Sequence, residues 1–178
     1  MNYNGYGYQG PYTYGQTSPF MTQTYTPTAS QQADLFTYPQ NLQNALELIL
    51  QALSGETEDR MFYSWLIEQA PSKEDQTIIA GIRDDEIGHY SLFRQLYYEL
   101  TGLVPQQTQG EQFTPPQSYC DGLARALQGE QNAVRKYRHI LYAMQYPVHI
   151  NIMTEIITDE IRHGILYSYL YSKNSCTA

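Results

Sequence analysis

The chain carries one set of residues twice, at a constant offset of 74 positions (130 − 56 for the first pair). The first copy consists of Glu56, Tyr63, Asp85, Glu86 and His89, and the second consists of Glu130, Tyr137, Asp159, Glu160 and His163. Each copy therefore has a single Glu followed, further along, by a Glu-x-x-His motif. A repeat of this kind predicts two similar helical hairpins that pack together and bring the two sets face to face.

The spacing within Glu-x-x-His places both side chains on one face of a helix. Residues at i and i+3 are neighbours about one turn apart, so they can bind the same metal ion, and the single Glu of a partner helix completes or bridges the site. The two copies together offer four carboxylates and two imidazoles, a donor set suited to iron or manganese. We therefore predict a two-metal centre with the ligands Glu56, Glu86, His89, Glu130, Glu160 and His163.

The residues that support these ligands are repeated as well. Asp85 and Asp159 lie four residues before the two histidines. We expect each aspartate to accept the outer imidazole N–H of the histidine in the opposite half, which would fix the ring and raise its basicity. Tyr63 and Tyr137 lie two turns after the single glutamates. We expect their hydroxyl groups to hydrogen-bond a ligand carboxylate from a neighbouring helix.

Apolar residues at helical spacing predict four helices. Ser72, with Asp75 three residues later, has the pattern of an N-terminal cap, and Gly102 stands where a glycine stop belongs. Pro71 and Pro147 are expected in the turns within the two hairpins. The predicted helices cover 38 to about 70, 73 to 101, 117 to 145 and 148 to 172.

The connection between the second and third predicted helices, residues 102–116, is too long for adjacent antiparallel helices, which need two to eight residues. Fully extended it spans up to ~50 Å, whereas the second helix is ~42 Å long. The connection can therefore return along the bundle, so that the third helix starts parallel to the second. Two short turns and one long crossover predict an all-α, ferritin-like four-helix bundle.

The residues that precede this bundle have a different composition. Residues 1–37 contain six tyrosines, four glycines and a single charged side chain, Asp34, with no helical or strand period. Such a segment is typical of a disordered but self-associating tail, with a role in solubility or in assembly and tyrosine cross-linking. We thus expect a disordered tail over 1–37, a bundle over 38–172 and a frayed end over 173–178.

Charge and cysteine content exclude several classes of function. The chain has 10 basic and 18 acidic residues and no Lys/Arg cluster, so nucleic acid and anionic membranes are poor partners. No apolar run reaches transmembrane length, and no signal peptide is evident, so we expect a cytoplasmic protein. Cys120 and Cys176 do not form a Cys-x-x-Cys pair, and we expect two separate thiols rather than a disulfide.

The repeated residues resemble those of the ferritin-like di-metal carboxylate superfamily, most closely its rubrerythrin-like branch. The resemblance covers residues 38–172 and implies a homodimer with a di-iron centre, held by the six ligands above, that reacts with peroxide or O₂. Rubrerythrins also carry a rubredoxin domain, whose Cys-x-x-Cys pairs this chain lacks, so a separate electron donor is implied. Ala133 stands where rubrerythrins carry an additional Glu, which weighs against the peroxidase assignment.

Besides iron storage, which would need a hollow shell whose interfaces the sequence does not reveal, three functions stay open at this point. The first is a di-iron oxidoreductase that reduces peroxide or O₂ with oxidation of ferrous iron. The second is a manganese catalase-like enzyme, since these ligand types do not separate manganese from iron. The third is a structural or assembly protein with a structural metal site, because the tail is similar to the Tyr/Gly-rich extensions of spore-coat proteins of Gram-positive bacteria. A spore coat is then the alternative to the cytoplasm.

The two halves differ beside the histidines. Tyr90 follows His89, whereas Gly164 follows His163. We interpret this difference as packing drift after duplication. The alternative is that Gly164 opens an access path to the metal centre, lined by Tyr90 or Arg60.

Overall fold

Five helices account for most of the residues that the structure describes. The structure is a computed structural model, and it describes residues 36, 38, 41–54, 56–106 and 113–177, without the side chains at positions 56 and 57. The helices are α1 (Leu42–Ser54), α2 (Glu56–Gln69), α3 (Lys73–Thr101), α4 (Tyr119–Tyr142) and α5 (Pro147–Lys173). The predicted all-α class is confirmed. None of the helices described combines the length and apolar character needed to cross a membrane.

The first two helices together take the place of the first predicted helix. The structure starts α1 at Leu42, four residues later than predicted, and α2 begins at Glu56. Gly55, between them, lies outside the described residues, as does the predicted tail over 1–37 apart from Phe36.

The third helix has the predicted bounds because both of its ends carry capping residues. Ser72 Oγ accepts a hydrogen bond from the backbone N–H of Asp75 at 3.2 Å. At the other end Gly102 adopts a left-handed conformation with φ of 73°, and its N–H donates to the carbonyl of Tyr98. A side chain at Gly102 would be strained in that conformation, which explains the glycine.

The last two helices differ slightly from the prediction at their ends. Ser118 Oγ accepts from the backbone N–H of Asp121 at 3.1 Å, so α4 starts at Tyr119 rather than at 117, and it ends at Tyr142 rather than at 145. Pro147 does not lie in the turn as predicted but is the first residue of α5. A missing N–H is tolerated there because the first helical turn has no intrahelical acceptor for it.

Contacts between the helix ends establish the topology. Lys173 pairs with Asp75 near the start of α3, and His149 pairs with Glu99 near its end, so α3 and α5 are antiparallel. The Tyr119 hydroxyl donates to Asp75 Oδ2 at 3.2 Å, which places the start of α4 beside the start of α3. The two helices are therefore parallel, as the predicted crossover between the halves requires.

The apolar core consists of two clusters separated by a polar layer. One cluster contains the buried residues Ala45, Ile49, Phe93, Leu96, Tyr137, Ile140, Ala143, Met144, Met153, Ile156 and Ile157. The other contains Phe62, Leu66, Ala70, Ile79, Ile82, Leu123, Ala126, Tyr167 and Leu170. On α3, α4 and α5, the acidic residues and histidines of the repeated motif lie between the residues of the two clusters.

The described C-terminal residues, which belong to the end over 173–178 that is expected to fray, contact other parts of the bundle. Lys173 pairs with Asp75, and Asn174 Nδ2 donates to Asp75 Oδ2 at 2.7 Å. Cys176 forms a disulfide with Cys120, and the two Cα atoms lie 5.5 Å apart. The expectation of two separate thiols is therefore wrong. The short turn between α4 and α5 makes these helices antiparallel, which brings the start of α4 to the end of α5, where the two cysteines meet.

Asp75 should anchor this end of the bundle in a pH-dependent way. The residue is fully buried. Burial alone would raise the pKa of Asp75, but hydrogen bonds from Lys173, Ser72 and Asn174 lower it to about 2. Because this pKa lies below the unfolded value of 3.8, the ionised carboxylate stabilises the fold above about pH 4. That contribution is lost as the pH falls from about 4 to about 2.

We predict that Asp75→Asn lowers the free energy of unfolding at neutral pH by about 2 kcal/mol, measured by urea denaturation. The variant should also lose the change in stability between about pH 4 and pH 2 that the unmodified chain shows. Asp84→Asn is the matched control, because the Asp84 side chain on the same helix is 64% exposed. Equal effects of the two substitutions would contradict the anchoring role of Asp75.

Candidate metal centre

The polar layer contains five of the six predicted metal ligands. His163 is fully buried, and Glu160, His89 and Glu130 are at most 5% exposed, while the Glu86 side chain is 23% exposed. The sixth predicted ligand, Glu56, is the first residue of α2, and its side chain lies outside the described residues.

The side chains in this layer converge on one another. His89 Nδ1 lies 3.2 Å from Glu160 Oε1 and 3.4 Å from Glu86 Oε2. His163 Nδ1 lies 3.0 Å from Glu86 Oε1 and 3.8 Å from Glu130 Oε2. Ligand-type atoms of Glu86, Glu130, Glu160 and His163 all lie within 4.8 Å of one another. Residues from both halves thus meet in one cluster, as the repeat predicts.

The inner atoms of this cluster fit a bound metal. Four of them are buried and make no hydrogen bond in spite of their short separations: Glu86 Oε1, Glu160 Oε1, His89 Nδ1 and His163 Nδ1. Buried polar atoms without a partner are costly and rare in native proteins. Carboxylate oxygens and imidazole nitrogens that face a common space are the donors that iron and manganese prefer, so the residues present suit a two-metal site.

The outer nitrogens of the two histidines are held by aspartates from the opposite halves. His89 Nε2 lies 3.2 Å from Asp159 Oδ2, and His163 Nε2 lies 3.1 Å from Asp85 Oδ2. This is the crossed pairing that the sequence predicts. An aspartate at Nε2 favours the tautomer in which Nε2 carries the proton and donates it, which leaves Nδ1 as the inner, metal-binding nitrogen.

The electrostatics of the layer favour positive charge at its centre. Burial alone would lower the pKa of both imidazoles. The carboxylates nevertheless raise the pKa of each to about 10, through Glu160 and Glu86 beside His89 and through Glu130 and Glu86 beside His163. The same negative field that holds protons on the rings attracts divalent cations, and metal binding has to displace those protons.

The two tyrosines of the repeat lie beside the layer without the predicted contact. Within the described residues, the hydroxyl groups of Tyr63 and Tyr137 make no hydrogen bond with a carboxylate. Burial raises the pKa of both phenols well above the ordinary value, and Glu86 adds to the effect. Both therefore stay neutral, and Tyr137 packs its ring 4.9 Å from that of Phe93.

Among the described residues, a larger and a smaller cavity are lined by predicted ligands. The larger, of about 360 Å³, lies between α2 and α4 and is lined by three ligands, Glu86, Glu130 and Glu160. Its α4 wall includes the small residues Ala126, Gly129 and Ala133 beside longer side chains such as those of Arg125 and Lys136. Sequence analysis missed this cleft, although small residues at helical spacing on one face of α4 were an available signal.

The smaller cavity, of about 60 Å³, lies between α2 and α3. Arg60 and Tyr90 line it together with Glu86 and His89. Asp59, which sequence analysis did not single out, lines both cavities.

Gly164 is buried, which contradicts the alternative that it opens an access path. The residue is buried against α4, where an added Cβ would lie 2.7 Å from Gln131 Nε2 and 3.7 Å from Glu130 Cβ. The glycine instead allows α4 and α5 to approach each other closely.

The chain matches a known protein family over most of its helical region. A family model described as Rubrerythrin matches residues 47–171. The chain belongs to the rubrerythrin family. All six predicted ligands fall within the matched range. Uncharacterized protein YhjR of Bacillus subtilis (strain 168) is 31% identical over 120 residues, which cover 66% of this chain and 80% of that protein. Membership of the rubrerythrin family and the buried carboxylate–histidine cluster both indicate a two-metal carboxylate site.

Gly164 and Gly129 offer a test of these packing assignments. Gln131 can swing away from a methyl group at position 164, but a leucine there must also displace Glu130 and Leu127. We predict that Gly164→Leu lowers the free energy of unfolding, measured by urea denaturation, by about 1–3 kcal/mol. Gly129→Leu, whose Cβ meets nothing within 4 Å, should leave stability unchanged or raise it slightly. Equal stabilities would show that Gly164 is not a packing residue.

Proposed function

We propose that this rubrerythrin-family chain is a di-iron oxidoreductase that reduces peroxide or O₂ while ferrous iron is oxidised. The observation that carries the proposal is the set of buried inner atoms without hydrogen bonds, backed by aspartates on the outer nitrogens. When bound, two ferrous ions supply the two electrons that reduce a peroxide to water. The residues that would hold them are Glu56, Glu86, His89, Glu130, Glu160 and His163.

The protein's own groups prepare the site for this chemistry. Asp85 and Asp159 hold the protons on the outer histidine nitrogens and orient the rings. The apolar clusters on either side of the layer exclude bulk water, which strengthens the electrostatic interactions inside. The cleft beside Ala133 admits small oxidants. A separate electron donor would restore the ferrous state, and a homodimer is the expected assembly.

Anaerobic reconstitution with ferrous iron tests the proposal. We expect about two irons per chain and, on addition of peroxide, formation of the ferric product within seconds, followed by its absorbance. Iron binding without rapid oxidation would instead favour manganese or a structural role. Loading with manganese and measuring O₂ release from peroxide separates those two alternatives.

The double variant Glu86→Ala, Glu160→Ala should lose iron oxidation, because it removes two of the four carboxylates of the centre. The matched control is Glu68→Ala, Glu155→Ala, which removes two exposed acids from α2 and α5. Undiminished oxidation in the Glu86, Glu160 variant would refute the di-iron assignment.

A second candidate is a structural or assembly protein of an oxidising location such as a spore coat. The disulfide between Cys120 and Cys176 favours it, because disulfides persist in oxidising compartments and are rare in the cytosol. In this case metal binding contributes folding free energy rather than turnover, and the Tyr-rich residues 1–37 mediate assembly.

Deletion of residues 1–37 separates the two candidates. Light scattering measures self-association, and the rate of iron oxidation by peroxide measures enzymatic activity. Retained oxidation with lost self-association would mean that the tail assembles an enzyme. If iron raises the melting temperature but is not oxidised by peroxide, the structural candidate is favoured.

A further inference from the structure

Arg162, on the outer side of α5, contacts both aspartates of the crossed pairs. Its Nη2 donates to Asp85 Oδ2 at 2.5 Å and to Asp159 Oδ1 at 3.0 Å. Its Nε also donates to Asp159 Oδ1, at 3.1 Å. Since Asp85 accepts from His163 and Asp159 accepts from His89, one guanidinium group links both aspartate–histidine pairs.

The two aspartates need such a partner because they lie close together. Ligand-type atoms of Asp85, Asp159 and His163 lie within 4.8 Å of one another. Two carboxylates at this separation repel each other, yet each has to keep one oxygen on a histidine of the opposite half. The planar, forked guanidinium can satisfy two carboxylates at once and is charged at every physiological pH.

Arg162 also breaks the internal repeat. The equivalent position 74 residues earlier is Gly88, which is exposed and where an added Cβ would meet nothing within 4 Å. One arginine from the second half therefore serves the aspartates of both halves.

We propose that Arg162 is a positioning residue for both metal ions. By holding Asp85 and Asp159 in place, it fixes the rings of His163 and His89 through their Nε2 atoms. Loss of Arg162 should thus weaken both metal sites, whereas loss of one aspartate acts mainly on the histidine that it contacts. The inference rests on the proposed two-metal centre.

Titration with cobalt(II), followed by visible absorbance, measures both sites without any turnover. We expect two cobalt ions per unmodified chain and binding of both ions about tenfold weaker in Arg162→Ala, the lower end of the range for residues behind a metal ligand. Arg135→Ala is the matched control, since Arg135 is an exposed arginine on α4, and it should bind cobalt as the unmodified chain does.

The internal repeat allows a rescue experiment. Residue 88 lies three positions after Asp85, just as residue 162 lies three positions after Asp159. An arginine introduced at 88 can therefore reach Asp85 along its own helix and Asp159 across the interface. We expect the double variant Arg162→Ala, Gly88→Arg to regain most of the lost cobalt affinity. If Arg162→Ala weakens binding and the double variant does not restore it, the positioning role is contradicted.

A second readout needs no metal. The Nε2–H protons of His89 and His163 should be visible by proton NMR while they are hydrogen-bonded, and both should exchange faster with solvent in Arg162→Ala.

Unchanged exchange, or cobalt affinities within twofold of the unmodified chain, would overturn the inference while the two-metal centre stands. Absence of cobalt binding to the unmodified chain would instead remove the proposed centre, and the inference would fall with it. Should Arg162→Ala not fold, Arg162→Lys keeps the charge but not the fork, and the same weakening is expected.

Discussion

Burial of charged groups between two apolar clusters is the constraint on which the rest of this structure depends. Four carboxylates and two imidazoles are expected in one layer of the bundle, and the five whose side chains are described lie there. Removing such groups from water is expensive unless each finds a compensating charge. The inner atoms without hydrogen bonds point to metal ions as that compensation, and the aspartates and Arg162 provide it on the outer side.

The crossed aspartate–histidine pairs make the two halves depend on each other. Each histidine is supported from the opposite half, so neither hairpin can form a complete metal site alone. The duplication is nevertheless imperfect. The two halves differ at three pairs of equivalent positions: Gly88 and Arg162, Tyr90 and Gly164, and Asp59 and Ala133. Their surroundings differ as well, with a cleft on the α4 side and a smaller cavity, lined by an arginine and a tyrosine, on the α3 side.

Much of the fold and of the site can be predicted from the sequence because the relevant signals are local. The caps at Ser72 and Gly102 define α3, and the crossover is long enough for α4 to run parallel to it. Even the crossed pairing follows, since the helical positions of Asp85 and Asp159 and the two-fold relation between the halves leave few other partners. The two tyrosines are different, because a hydroxyl group at the end of a ring can be placed only when its neighbours are known.

The all-α class, the bounds of α3 and the residues of the polar layer follow from the sequence alone, because periodicity, capping and a repeated motif are written along the chain. The division of the first predicted helix into α1 and α2 does not follow from it. Other contacts between distant residues become visible only when the helices are placed in the fold. The bond between Cys120 and Cys176, the contacts of Lys173 and Asn174 with buried Asp75, and the reach of Arg162 across to Asp85 all join residues far apart in the chain. Such contacts depend on the relative placement of whole helices, which sequence spacing does not specify.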